Sequence, residues 1–220
     1  PVPIVNIQKE ESRLGGASNV ANNIVSLGGH SLLCGVIGHD LFGKEIERIS
    51  RHKNIDTFLL KTSSPTITKA RIIGGKQQIV RVDYEDKSEL NADNKKLFRD
   101  TISRILPEYD ILVISDYGKG LISEDLCRYL IKLAHKYDKK VIIDPKGKNW
   151  EKYSGADIVT PNVKELSDIV GYTVPNTDRA IEKAAREAIT NNHLTALLVT
   201  RSDKGMSLIC LLYTSDAADD

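Results

Sequence analysis

The chain has 220 residues, enough for one α/β domain with a sizeable core or for one main domain with a small appendage. Its 31 Lys+Arg against 30 Asp+Glu leave a net charge of +1, and no long basic run occurs, so nothing points to a nucleic-acid partner. No apolar run approaches the ~20 residues that span a bilayer, so no membrane is expected, and the three scattered cysteines Cys34, Cys127 and Cys210 fit reduced cytoplasmic thiols better than a disulfide framework or a zinc site.

Residues 2–7 (VPIVNI) alternate as a strand and lead through a charged link, 8–13, to Leu14-Gly15-Gly16-Ala17-Ser18-Asn19. Two glycines can bring bare backbone N–H groups against a ligand, and the Ala/Asn/Val/Ile run behind them reads as a packed helix that stops at Gly28-Gly29. A loop opening a helix suits an anionic or hydroxyl-rich small molecule, with Asn19 offering an amide; read alone it is ordinary punctuation. Residues 31–37 form a short strand, and the turn at 38–43 opens a helix over 44–52. His39 and His52 stand alone, with no second ligand at a metal-binding spacing.

Residues 55–60 read as another strand. Residues 65–73 and 77–84 both alternate with period two around Gly74-Gly75, the pattern of a hairpin. A half-polar hairpin does not belong in a buried parallel sheet, so it is expected as a lid or a dimer surface. Its polar face carries Lys69, Arg71, Arg81 and Asp83, read as a solvated face ahead of direct substrate contact.

A helix over 90–106 precedes residues 109–115 (YDILVIS), a run fit for a central parallel strand. Three more strands follow, at 140–143, 156–160 and 196–200, with helices at 123–137, capped by Ser123, and at 180–191. Each of these four strands runs into a polar loop: Asp116-Tyr117-Gly118-Lys119-Gly120, Asp144-Pro145-Lys146-Gly147, Pro161-Asn162-Val163-Lys164-Glu165 and Arg201-Ser202-Asp203-Lys204-Gly205. Singly they read as tight turns, a helix N-terminus and a hairpin turn. Together they point to one crevice, because ligands in open α/β sheets bind beyond the carboxyl ends of the strands.

The order GGASNVA, hairpin, SDYGKG, DPKG, TPNVKE, TRSDKG, together with PTITKxRxI and QQxxRxD, resembles the PfkB/ribokinase family of sugar kinases, and within it the heptose 7-phosphate kinases, over residues 1–209. The resemblance implies a ribokinase-like α/β fold, doubly wound around a mostly parallel sheet with a small β lid. It implies a lid at 1–13 and 56–86, an incomplete kinase core at 14–55 and 87–209, and a non-native tail at 210–220. It further implies sugar binding by Gly15, Gly16 and Asn19, with Asp116 and Lys119 beside them. ATP is assigned to Asn162, Val163, Lys164, Glu165, Thr200, Arg201 and Gly205, with Asp144 and Lys146 between sugar and phosphates and Glu165 organising Mg²⁺. The implied reaction is ATP-dependent phosphorylation of a sugar phosphate, most like D-glycero-D-manno-heptose 7-phosphate to the 1,7-bisphosphate in ADP-heptose synthesis, by an enzyme that could dimerise through its lid. A PfkB kinase of another sugar and a non-catalytic nucleotide- or sugar-binding module are the alternatives.

Two departures from the pattern stand out. The family's opening strand with its Gly-Asp pair is not found, and neither is its Gly-Ala-Gly-Asp segment, which carries the catalytic base and an anion hole. The chain is therefore expected to be truncated at both ends, with no catalytic residue of its own and little activity. Residues 211–220 (LLYTSDAADD) resemble translated vector sequence, so Asp216, Asp219 and Asp220 take no role.

Overall fold

The computed structural model describes residues 6–75, 77–86 and 89–211. The chain divides into two compact units, residues 1–86 and 87–220. None of the described helices is long and apolar enough to cross a membrane.

In the first unit the order is α1 (Ala17–Ser26), β1 (Leu32–Gly38), α2 (Leu41–His52), β2 (Asp56–Thr62), β3 (Thr68–Gly74) and β4 (Gln77–Tyr84). Strands β1 and β2 pair in parallel from Leu32↔Asp56 to Gly38↔Thr62, with α2 as the crossover. The apolar side chains of α1 meet this pair: Ala21, Leu33 and Ile55 are buried, with Leu14, Val25, Ile46 and Leu59 packed around them. Asp40 caps α2 by accepting the Gly43 N–H at 2.8 Å. The same carboxylate accepts the N–H and the hydroxyl of buried Thr66, each at 2.7 Å, and the Thr66 oxygen takes the Gly38 N–H at 2.8 Å. One network thus closes the end of β1, the start of α2 and the entry to β3.

Strands β3 and β4 form a separate two-stranded antiparallel sheet. The first half of β3 follows the expected alternation, with Lys69 and Arg71 exposed and Thr68, Ala70 and Ile72 half-buried. The alternation continues to exposed Ile73, and the register shift between Ile72 and Ile73 puts the extra residue on β4, where Ile79 is skipped in the pairing, as in a bulge. All of β4 is exposed. One assignment changes: residues 56–62, grouped above with the lid, are the parallel partner of β1, because a helical crossover returns the chain alongside the strand it left. The expected strand at 2–7 lies largely outside the described residues; Asn6 and Ile7 belong to no regular element.

The second unit runs α3 (Ala92–Ile105), β5 (Ile111–Ser115), α4 (Glu124–Lys136), β6 (Lys140–Asp144), β7 (Ile158–Val159), α5 (Val163–Val170), α6 (Asp178–Asn192), β8 (Ala196–Thr200) and β9 (Met206–Cys210). Its sheet order is β5-β6-β7-β8-β9, with β5 to β8 parallel and β9 antiparallel to β8. Val141, Ile143, Val159, Leu197 and Val199 of the sheet are fully buried, as are Leu166 of α5 and Ile181, Ala184 and Ile189 of α6. Ser123 caps α4 through the Leu126 N–H, as its position in the sequence suggests. Strand β5, whose apolar run reads as central, sits at the edge of this unit's sheet, with Ile111 and Val113 exposed. Strand β9, not assigned from the sequence, is the partner that the hairpin-turn reading of residues 201–205 requires, and it takes in Cys210, the first residue assigned to a tail; residues 212–220 lie outside the described part.

At the opposite end of the sheet from the polar loops, Asp157 ties three elements together. Its side chain, 15% exposed, accepts Lys140 Nζ and the Val141 N–H, both at 2.9 Å, and lies 3.1 Å from His135 Nε2. Burial pushes its carboxyl pKa up, but the bonds from Lys140, Val141 and His135 outweigh that and hold it below the ordinary carboxylate value. A carboxylate depressed in the folded state stabilises above its unfolded pKa of about 3.9 and loses that contribution as pH falls through the lower folded value. Asp157→Asn is expected to cost about 1–3 kcal/mol at neutral pH. In denaturant titrations the gap to the parent chain should narrow below about pH 4; a gap that persists there would assign the residue a packing role.

Candidate active site

Because β5, β6, β7 and β8 are parallel neighbours, their following loops leave the same edge of one sheet. The backbone stitches them together there. The Asp116 N–H donates to the Asp144 carbonyl at 3.0 Å, the Thr200 N–H donates to the Pro161 carbonyl at 2.8 Å, and Asn162 and Thr200 form a parallel bridge.

Glu165 and Lys146 face one another within this cluster, Nζ to Oε1 at 3.5 Å. Asn162 and Glu165 also form the capping box of α5: Asn162 Oδ1 accepts the Glu165 N–H at 2.9 Å, and Glu165 Oε2 accepts the Asn162 N–H at 3.1 Å. The Asn-x-x-Glu spacing thus has a complete local explanation as a helix start, and it aims one carboxylate oxygen at a lysine. Asp144 lies beside them. Its carboxyl pKa is raised, first by burial and then by the negative charges of Glu165 and Asp116, with Lys146 opposing. Val163 and Lys164 form the first turn of α5, Lys164 exposed.

Excess negative charge beside a lysine and an exposed helix start suits a phosphate–cation complex. Among the described residues no group of three or more His, Cys, Asp or Glu is placed to cage a metal. Glu165, with Asp144 beside it, is the carboxylate that could hold Mg²⁺, an ion commonly bound through only one or two protein carboxylates.

Two assigned residues are placed differently from expectation. Asp116, expected against substrate, is 2% exposed. One of its carboxylate oxygens accepts the Gly118 N–H at 2.7 Å, and the other accepts the Tyr153 hydroxyl at 2.7 Å and pairs with Lys152 Nζ. Arg201, expected along ATP, is 6% exposed. Its guanidinium donates to Asn176 Oδ1 at 2.9 Å, Asp178 Oδ1 at 2.6 Å and Ser207 Oγ at 2.9 Å, while Asn176 Nδ2 returns a bond to the Arg201 carbonyl. Both side chains are consumed by the fold around the loops, and only the loops' backbone and exposed neighbours are open to a ligand. The 201–205 segment is the β8–β9 turn, and Gly205 closes it at φ 74°, ψ −127°, a conformation that side chains resist. Lys119 is half-buried and Thr200 exposed. Sequence reasoning missed Lys152, Tyr153, Asn176 and Asp178, which belong to no motif and reach the loops only through the tertiary path.

In the first unit, Gly16 sits before α1 at φ 55°, ψ −136°, again a backbone that favours glycine, and Gly15 and Asn19 are exposed. The Ser18 hydroxyl donates to the Gly15 carbonyl at 2.6 Å and fixes the turn.

The whole sequence from residue 2 to 213 matches the pfkB family carbohydrate kinase pattern. The chain belongs to this family. Among PfkB relatives it is 40% identical over 211 residues to the bifunctional protein HldE of Helicobacter acinonychis (strain Sheeba), covering 95% of this chain and 45% of that protein. It is 42% identical over 210 residues to the bifunctional protein HldE of Haemophilus influenzae (strain PittEE), covering 95% and 43%. The chain thus spans a little under half the length of these curated relatives. Among solved PfkB-fold structures, it superposes on phosphofructokinase-2 from Escherichia coli in complex with substrates and products with a TM-score of 0.72, at 20% identity over 90% of this chain and 64% of that one. The structure described as Sa239 gives a TM-score of 0.75 at 16% identity over 100% and 74%. These likenesses establish the ribokinase-like α/β fold.

Proposed function

We propose that this PfkB chain handles the nucleotide and acceptor of an ATP-dependent sugar-phosphate kinase, most like one converting D-glycero-D-manno-heptose 7-phosphate to the 1,7-bisphosphate in ADP-heptose synthesis in the cytoplasm. The observation that carries the nucleotide half is the cluster of Lys146, Glu165 and Asp144 at the shared carboxyl edge of β5 to β8. The acceptor rests on the GGASNVA, PTITKxRxI and QQxxRxD runs and on the HldE relatives. Phosphoryl transfer is catalysed mainly by positioning and charge neutralisation. Lys146 supplies a cation to the phosphates, the start of α5 with Val163 and Lys164 supplies backbone N–H groups, and the β8–β9 turn through Thr200 and Gly205 lines the nucleotide. Gly15, Gly16 and Asn19 hold sugar hydroxyls. Mg²⁺, when bound through Glu165, neutralises charge shared by the phosphates. The base is assigned to the family's Gly-Ala-Gly-Asp segment, which does not occur in these 220 residues, so the chain by itself is read as a binding body with little turnover. Dimerisation through the exposed β3–β4 hairpin is part of the same reading.

Glu165→Gln separates the site from the capping box, since an amide oxygen can still accept the Asn162 N–H. Stability should stay within about 0.5 kcal/mol of the parent, while affinity for MgATP falls about tenfold in calorimetric titration, the order expected of one lost charged contact. Heptose 7-phosphate should saturate the parent chain at lower concentration than fructose 6-phosphate. Absence of any MgATP binding by the parent chain would overturn the kinase reading, and equal affinity for the two sugars would remove the heptose assignment alone.

A further inference from the structure

We infer that Asp116, Lys152 and Tyr153 form a positioning device that sets the backbone at Lys146, joining the 116–120 loop to the 144–147 loop. The inference rests on the reading of Lys146 as a phosphate-binding group. The Asp116 carboxylate accepts three groups at once, the Gly118 N–H, the Tyr153 hydroxyl and the Lys152 ammonium. The Tyr153 oxygen in turn accepts the Lys146 N–H at 3.0 Å. Beside it the Trp150 indole donates to the Gly147 carbonyl at 3.2 Å. Trp150 and Tyr153 are essentially inaccessible, so the 3-10 turn of residues 151–153 is a rigid post and not a mobile arm. Tyr153 is kept protonated, because burial raises its pKa first and the neighbouring Asp116 charge raises it further; the hydroxyl therefore remains a donor to the carboxylate.

Cohesion alone is a poor reason for this arrangement. A buried carboxylate–ammonium pair seldom stabilises more than apolar residues of the same volume, because both ions give up hydration. What the pair supplies that apolar packing does not is direction. It fixes a hydroxyl that holds the amide of Lys146, whose ammonium faces Glu165. A small displacement of a charge-positioning group has a large effect on a phosphate site, since alignment is most of what such a site contributes. Asp116 thus acts through Lys146 and, 2% exposed with three internal donors, presents little of its carboxylate to a sugar.

The test compares MgATP with adenosine, which has the base and ribose but no phosphates, as ligands of the full chain. Tyr153→Phe keeps the buried ring and removes only the hydroxyl. It is expected to weaken MgATP about tenfold, the order lost with a hydrogen bond in a charged network, while adenosine changes less than about twofold. In a Lys146→Ala background the same change should add less than about twofold, since the group it positions is gone. Equal losses for MgATP and adenosine, an undiminished loss in the Lys146→Ala background, or MgATP binding by Tyr153→Phe at the parent's strength would each overturn the inference while leaving the kinase reading in place. A parent chain that binds no MgATP would overturn the kinase reading, and this inference with it. Should Tyr153→Phe fail to fold, Asp116→Asn, which preserves shape and volume, is read by the same criteria. The unaltered chain gives an independent check: the Lys146 amide should be protected from hydrogen exchange, and fast exchange there would overturn the proposal without any variant.

Discussion

Heptose 7-phosphate phosphorylation by the 220-residue chain is expected to run at least ~10²-fold slower than by the same chain extended through a Gly-Ala-Gly-Asp segment. On the proposed reading that segment would provide the base for the acceptor hydroxyl and backbone donors to the transferring phosphoryl group. A positioned base contributes ~10²–10⁴-fold, and one oxyanion-type donor a further ~10²–10³-fold. The two do not simply multiply, because groups that act together lose their value together. Neither Asp116 nor Glu165 is a natural substitute. Asp116 is 2% exposed and already takes three internal donors, and Glu165 is held by Lys146 and the Asn162 N–H. A coupled assay of ADP release with both chains decides the matter. Comparable turnover would place the base within residues 1–220 and make Asp144 the first residue to replace.

Arg201→Ala is expected to lower stability by about 2–3 kcal/mol, since the bonds to Asn176, Asp178 and Ser207 go together with the packing of a side chain that is 6% exposed, although Asp178, 94% exposed, is readily hydrated. For a unit of this size that corresponds to roughly 4–12 °C in the melting temperature. Arg201→Lys should recover only part of the loss, because an ammonium cannot reach three partners in the geometry of a planar guanidinium. The opposite pattern, an unchanged melting temperature with lost MgATP affinity, would return Arg201 to the nucleotide contacts that its motif implies.

The second unit's sheet was legible because its strands are punctuated. Residues 111–115, 140–144 and 196–200 are short apolar runs that stop at polar residues with glycine or proline nearby, and the parallel order brings those stops to one edge. The hairpin was legible from period-two alternation around Gly74-Gly75, although the slip at Ile72/Ile73 was not, since one extra residue in a ladder leaves no compositional trace. The division of labour inside each loop was hidden. Asp116 and Arg201 look available in a motif, and only the fold shows Tyr153 and Asn176, 37 and 25 residues away in sequence, consuming their side chains. Strand β9 was hidden for a related reason. Met206 and Leu208 point to the exposed side of an edge strand, so the run reads as neither a buried strand nor a loop.

The β3–β4 hairpin divides the strand ladders as well as the chain. Among the described residues, β1 pairs only with β2 before it and β5 to β9 pair only among themselves after it, so no ladder crosses residues 63–89. Arg71 lies directly opposite Arg81 across the hairpin, and like charges in register weaken a ladder that has few buried contacts to hold it. Its foot is secured by Asp40 to Thr66 and by the Ser64 hydroxyl to Asp86 at 2.6 Å. A break at the tip would therefore leave every parallel ladder whole on one piece or the other. That makes the tip the natural place to divide the gene for this chain into two halves that reassemble, a split-protein reporter in which each half carries its own sheet.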